Sequence, residues 1–161
     1  MDTTFPTAVQ PEQLRQVMRH WTTGVAVITA AGPDGAPAGL VSNSITSVSL
    51  EPALLSWCVD RRSSSFRTWS CTEAFSVHIL GAENTDLVPR FAARGTDKFA
   101  GLPARRSPLG TPVLDRVPVR LDCTVWNRYD GGDHVIIIGQ VQAVETAADI
   151  LPLTNRQLAA G

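Results

Sequence analysis

Between residues 119 and 144 the chain reads VRLDCTVWNRYDGGDHVIIIGQVQAV. Val119, Leu121, Cys123 and Val125 alternate with Arg120, Asp122, Thr124 and Trp126. An apolar side chain at every second position marks a half-buried strand, because successive side chains point to opposite faces. Asp130-Gly131 then gives a strong hairpin signal, and VIIIGQVQAV returns as the partner strand. Two long strands cannot bury their apolar face alone, so this segment commits the chain to a larger sheet.

Further strands are available. GVAVITA (24–30) is short and β-branched, and AGLVSNS (38–44) follows it across the turn cluster GPDGAP (32–37). ALLSWCV (53–59) is almost continuously apolar, as a strand covered on both faces would be, and FSVHIL (75–80) is a further strand. Helical segments are short. Leu14, Val17, Met18 and Trp21 repeat at helical spacing after Pro11, which is tolerated in a first turn. Residues 63–69 and 86–93 suggest two more short helices, and 154–161 a helix or frayed tail. Residues 1–10 read as a flexible lead, and 95–113 as an irregular excursion. Strands and helices do not alternate, which disfavours a doubly wound parallel sheet. The expected fold is mainly β: a mostly antiparallel barrel with short helices, one domain over 1–161 with its core at about 13–145.

With 161 residues, 43% of them hydrophobic and 18% charged, the chain suits one globular domain. A net charge of −1 supplies no basic footprint for nucleic acid. No apolar run approaches the roughly 18 residues of a membrane span. MDTTFPT does not read as a signal peptide, so a cytoplasmic protein is expected. Cys58, Cys71 and Cys123 are dispersed, and His20, His78 and His134 do not cluster with carboxylates. Neither a disulfide framework nor a metal site is expected. There is no GxGxxG, P-loop, HExxH or GxSxG motif. Trp57 and Trp21 are expected in the core, and Trp126 at a subunit interface.

Two polar clusters stand out against this apolar background. SNSITSVS (42–49) adds the side chains of Asn43, Thr46 and Ser47 to an extended backbone. That combination suits the amide-like edge of a flat heterocycle, and equally a Ser/Thr turn that breaks a strand. CVDRRSSS (58–65) ends a strand at three serines beside Arg61 and Arg62. Free hydroxyls and N–H groups there suit a phosphate, and equally a simple helix cap.

Taken in order, GVAVITA, SNSITSVSLEPALLSWCVDRRSSS, FSVHIL and GDHVIIIGQV resemble the short-chain flavin reductase family, over roughly residues 13–145. Its members include the reductase components of two-component flavin monooxygenases. The resemblance implies a split barrel that binds FMN or FAD and dimerises. It implies that Ser42, Asn43, Ser44, Ile45, Thr46 and Ser47 line the ring and ribityl chain, and that Cys58, Val59 and Asp60 continue that wall. Ser63, Ser64 and Ser65 would hold the phosphate with help from Arg90 and Phe91. Gly132, Asp133 and His134 would meet the nicotinamide. Ile45 departs from the aromatic common at its position, and His78 from a frequent Asn.

The resemblance therefore implies an NAD(P)H-dependent flavin reductase that supplies reduced flavin to a partner monooxygenase. Hydride passes between two cofactors, which accounts for the lack of an acid–base pair. The lack of an adenine-binding motif favours FMN and NADH over FAD and NADPH. Two other readings use the same pocket: a single-component oxidase or oxygenase, and a non-catalytic carrier of flavin, deazaflavin or heme.

Overall fold

The structure, a computed structural model, describes residues 8–160. Most of the 1–10 lead lies outside that range. Among the described residues there are seven strands: β1 (Ala26–Ala31), β2 (Pro37–Ser42), β3 (Thr46–Leu50), β4 (Ala53–Asp60), β5 (Ala74–Ile79), β6 (Val119–Gly131) and β7 (His134–Thr146). They form one sheet in the order β2-β1-β5-β6-β7-β4-β3, and every neighbouring pair is antiparallel. The same residues hold four short helices: α1 (Pro11–Met18) before the strands, α2 (Phe66–Cys71) and α3 (Leu87–Ala92) between them, and α4 (Asn155–Ala159) after them. No described helix is long and apolar enough to cross a membrane.

The strand order carries the central point of the architecture. β2 and β3 are consecutive in the chain, yet they occupy opposite edges of the sheet. Only Asn43, Ser44 and Ile45 lie between them. Four residue steps reach at most about 14 Å. The two edges must therefore approach each other, and the sheet curls into a barrel that stays unpaired along one seam. The serine-rich stretch 42–49 crosses that seam and continues as β3, a strand not foreseen in the sequence.

The long hairpin forms with Val119 opposite Thr146 and Gly131 opposite His134. Its turn is Gly132-Asp133, two residues beyond the Asp130-Gly131 signal. Gly132 has φ of +77°, while Asp133 avoids positive φ. Glycine at the first central position is what a type II′ turn requires. This register keeps Ile137 fully in the core, and a one-residue slip would turn it outward.

One apolar cluster fills the barrel with Trp57, Trp69, Phe75, Ile28, Val77 and Ile137. Trp57 meets Trp69 edge-on at 5.1 Å and Phe75 at 5.8 Å. Gly139 makes room for Phe75, since a Cβ there would sit 2.4 Å from the ring. A second cluster, including Val27, Leu80, Phe91 and Leu153, packs α3 and the C-terminal segment against the other face of the sheet.

Two expectations need correction. The face of β6 carrying Arg120 and Asp122 is not wet, because both side chains are buried. The excursion folds back over this face and is pinned by polar bonds. Thr29 Oγ1 donates to Pro112 O at 2.6 Å, and Leu114 N donates to His78 Nε2 at 3.1 Å. Ser76 Oγ donates to Asp122 Oδ1 at 2.6 Å, and Arg120 Nε reaches the same carboxylate at 3.1 Å. The second correction is Trp21, which is 67% exposed instead of in the core. Its companions Leu14, Val17 and Met18 are exposed as well, because α1 buries no residue of its own. Trp57 lies in the core as expected.

Candidate functional site

A cavity of about 370 Å³ opens at the seam. Leu40 and Val41 on β2, Val59 on β4, and Phe91 and Ala92 on α3 give it apolar walls. Ser42, Asn43 and Ser44 supply a polar rim from the link between the sheet edges. The end of β4 contributes Cys58 and Asp60, and the segment after it contributes Ser63 and Ser64. His134 enters from the start of β7, opposite Asp60 in the ladder.

The rim serines first secure the seam. Cys58 N donates to Ser44 Oγ at 2.9 Å, and the Ser42 and Ser44 hydroxyls lie 3.0 Å apart. These bonds tie the link to β4, in place of a missing ladder. Asn43 has no such duty: among the described residues its side chain has no hydrogen-bond partner, and it lies exposed at the cavity. Cys58 is an inert part of the wall. Burial pushes its thiol up, against a smaller opposing effect from Ser44, so it stays protonated.

Arg61 and Arg62, both considered for a phosphate, are committed elsewhere. Arg61 donates from Nε to Gly132 O at 2.9 Å and pairs with Asp130, which ties the β4 end to the hairpin turn. Arg62 donates its backbone N–H to Asp60 Oδ1 at 2.7 Å and its guanidinium to Oδ2 at 3.0 Å. These bonds hold the Asp60 carboxyl at about 2. Asp133 is also held below the usual carboxylate range, chiefly by His134, whose Nδ1 lies 2.7 Å from its Oδ1. A carboxylate only accepts, so Nδ1 carries the proton and Nε2 is left to face a ligand.

Not every expected residue reaches the cavity. Ile45 packs against the barrel core, and an aliphatic side chain suits that role. Thr46 and Ser47 are exposed on β3 and do not line the cavity. Ser65 precedes α2 without capping it, because its hydroxyl accepts from Trp69 Nε1 at 2.8 Å. Arg90 donates to Lys98 O at 3.2 Å and to Ala100 O at 2.9 Å, and lines a different cavity. Gly132 and Asp133 shape the turn that carries His134 and do not themselves line the cavity.

Two cations not anticipated do line it: Arg94 and Lys98. Lys98 Nζ donates to Gly39 O at 3.0 Å and Phe91 O at 2.7 Å, leaving the third ammonium proton over. Burial, and then the charge of Arg94, push its pKa down. Ser64 and Lys98 also border a smaller cavity of about 180 Å³, which places them at the junction of the two. The only hint in the sequence was a basic pair around Gly95, one turn of chain beyond the expected Arg90.

An unclosed antiparallel barrel with an apolar-walled, polar-rimmed cavity at its seam suits a flat ring system carrying an anionic tail. The chain matches the flavin reductase like domain over residues 18–159, and it belongs to that family. It is 39% identical over 145 residues to the actinorhodin polyketide dimerase of Streptomyces coelicolor, covering 90% of this chain and 82% of that one. It is 35% identical over 146 residues to the reductase subunit of a flavin-dependent monooxygenase from Rhodococcus jostii, covering 91% and 74%. Among solved structures, the NADH:FAD oxidoreductase of Streptomyces globisporus superposes with a TM-score of 0.83 at 29% identity, covering 93% of this chain and 92% of that one.

Proposed function

We propose that the protein is an NAD(P)H-dependent flavin reductase that passes reduced FMN or FAD to a partner flavin-dependent monooxygenase. The observation that carries this reading is the convergence of Asn43, Ser63, Ser64, Arg94 and His134 on one apolar-walled cavity. When bound, the flavin supplies the redox chemistry: its ring takes up the hydride of the nicotinamide.

The residues fit such a group. Leu40, Val41 and Val59 offer apolar contact to a ring, and the free amide of Asn43 pairs with its polar edge. Ser63 and Ser64 donate to the phosphate, and Arg94 with the remaining proton of Lys98 offsets its charge. His134, fixed by Asp133, offers Nε2 to the nicotinamide and orients it. No residue is assigned a proton transfer. We place the working enzyme in the cytoplasm as a homodimer, in which Leu14, Val17 and Trp21 of one protomer find cover against the next.

The test is consumption of NADH and NADPH by the purified protein with FMN, FAD or no flavin, and with no organic substrate added. Flavin-dependent turnover is expected, and reduced flavin should sustain an added monooxygenase. Binding of flavin with no nicotinamide oxidation would mark a carrier and overturn the reading.

A further inference from the structure

The hydroxyl of Ser63 is linked to a buried indole. Trp69 on α2 is fully buried, and its Nε1 donates to Ser65 Oγ at 2.8 Å. Ser65 Oγ lies 3.3 Å from Ser63 Oγ. Ser63 lines the main cavity, whereas Ser65 borders only the smaller one.

The direction of this chain follows from the chemistry of its members. An indole N–H donates and cannot accept, so Ser65 Oγ must be the acceptor of the first bond. Ser65 has one proton of its own. Among the described residues the sole remaining side-chain partner of its oxygen is Ser63 Oγ. A proton pointed there makes Ser63 an acceptor, and the Ser63 proton is then free to point into the cavity. An anion offers only lone pairs, so an outward proton is the arrangement it needs.

We infer that Trp69 is a positioning residue that tunes the specificity of this site for phosphorylated flavins: through Ser65 it favours the Ser63 hydroxyl proton pointing at the phosphate. The inference rests on the phosphate role of Ser63 proposed above. It does not rest on the helix itself, because α2 has only six residues. The indole N–H takes one of the two lone pairs of Ser65 Oγ and polarises its O–H, so Ser65 donates to Ser63 in preference to accepting from it; without that donor the preference, and with it the outward proton, is lost.

The experiment compares binding of FMN and riboflavin, which share a ring and ribityl chain and differ in the phosphate. Ser63→Ala serves as the reference and should weaken FMN about tenfold while leaving riboflavin unchanged. Trp69→Phe keeps most of the buried ring but removes the donor. Ser65→Ala breaks the same relay with a smaller loss of volume, and it reads the relay even if Trp69→Phe fails to fold. Each should weaken FMN about three- to tenfold and leave riboflavin unchanged. The double variant Trp69→Phe with Ser65→Ala should be no worse than the weaker single, because both cut one path.

Equal losses for the two flavins in the Trp69 and Ser65 variants would make Trp69 a packing residue and overturn the inference. So would an undiminished affinity for FMN. In either case a selective loss in Ser63→Ala would leave the phosphate reading standing. If Ser63→Ala were itself unselective, the phosphate reading would fall and the relay with it.

Discussion

Two polar clusters of this protein draw on the same residue types and meet opposite fates. Behind β5 and β6, the side chains of Ser76, Thr111, Ser107, Asp122 and His78 are buried and bonded to one another or to backbone. At the seam, Asn43, Ser64 and Arg94 line an open cavity with side chains that find no partner among the described residues. A buried polar group without a partner is costly, so the first cluster is closed and structural. The second stays hydrated and keeps its donors for a ligand. Substitutions in the first should change stability, and those in the second should change binding.

The largest effect should come from Asp122→Ala. It removes the buried carboxylate from Arg120, leaving that guanidinium only the exposed Glu145, and from Ser76, leaving it Thr111, and should cost about 3–5 kcal/mol of stability. Urea unfolding measures it. A loss below about 1 kcal/mol would mean that the buried network holds little.

Next comes the pH dependence of His78, whose burial pushes its pKa from 6.5 down to about 4, with the Val27 carbonyl opposing and the nearby Arg120 adding to the fall. The unfolded chain takes up a proton near 6.5, whereas the folded one resists until about 4. Between those values the unfolded state binds more protons, so stability falls as pH drops through that window and is retained above it. The loss should approach about 3 kcal/mol. His78→Gln should flatten the slope, and an unchanged slope would assign it to other groups.

The remaining tests concern the open cluster. Ser63→Ala with Ser64→Ala should weaken FMN about thirtyfold, roughly 2 kcal/mol, with riboflavin and unfolding midpoint little changed. Arg94→Ala should weaken FMN about tenfold, and less so at high salt, while Arg90→Ala should act mainly on stability. Equal flavin losses in the two arginine variants would blur the separation of the clusters. Smallest is His134→Ala, expected to raise the KM for NADH about fivefold with flavin affinity intact. Weakened flavin binding with normal NADH use would reverse that assignment.

Much of the fold was legible along the chain. The alternation of β6, the apolar run of β4 and the turn at GPDGAP depend on neighbours in sequence, and each formed about where its pattern lies. The core placement of Trp57 followed from an apolar strand on both sides of it. Less legible were features set by distant packing. Arg120 and Asp122 looked wet because nothing local showed that residues 107–114 would cover them. Trp21 looked buried because helical periodicity gives the apolar face but not what lies against it. In the site, the serines and Asn43 were readable from their density. Arg94 and Lys98 were not, since one lies just before the excursion and the other within it, and both meet Ser64 only in three dimensions.

By itself the sequence determined the strands, their polarity patterns and a store of hydroxyls at two strand ends, because backbone preference and side-chain alternation act over a few residues. The tertiary structure decided which hydroxyls would be consumed and which left open. That choice depends on whether another segment comes within hydrogen-bond distance: the excursion reaches Ser76, and the three-residue link across the seam leaves Asn43 free.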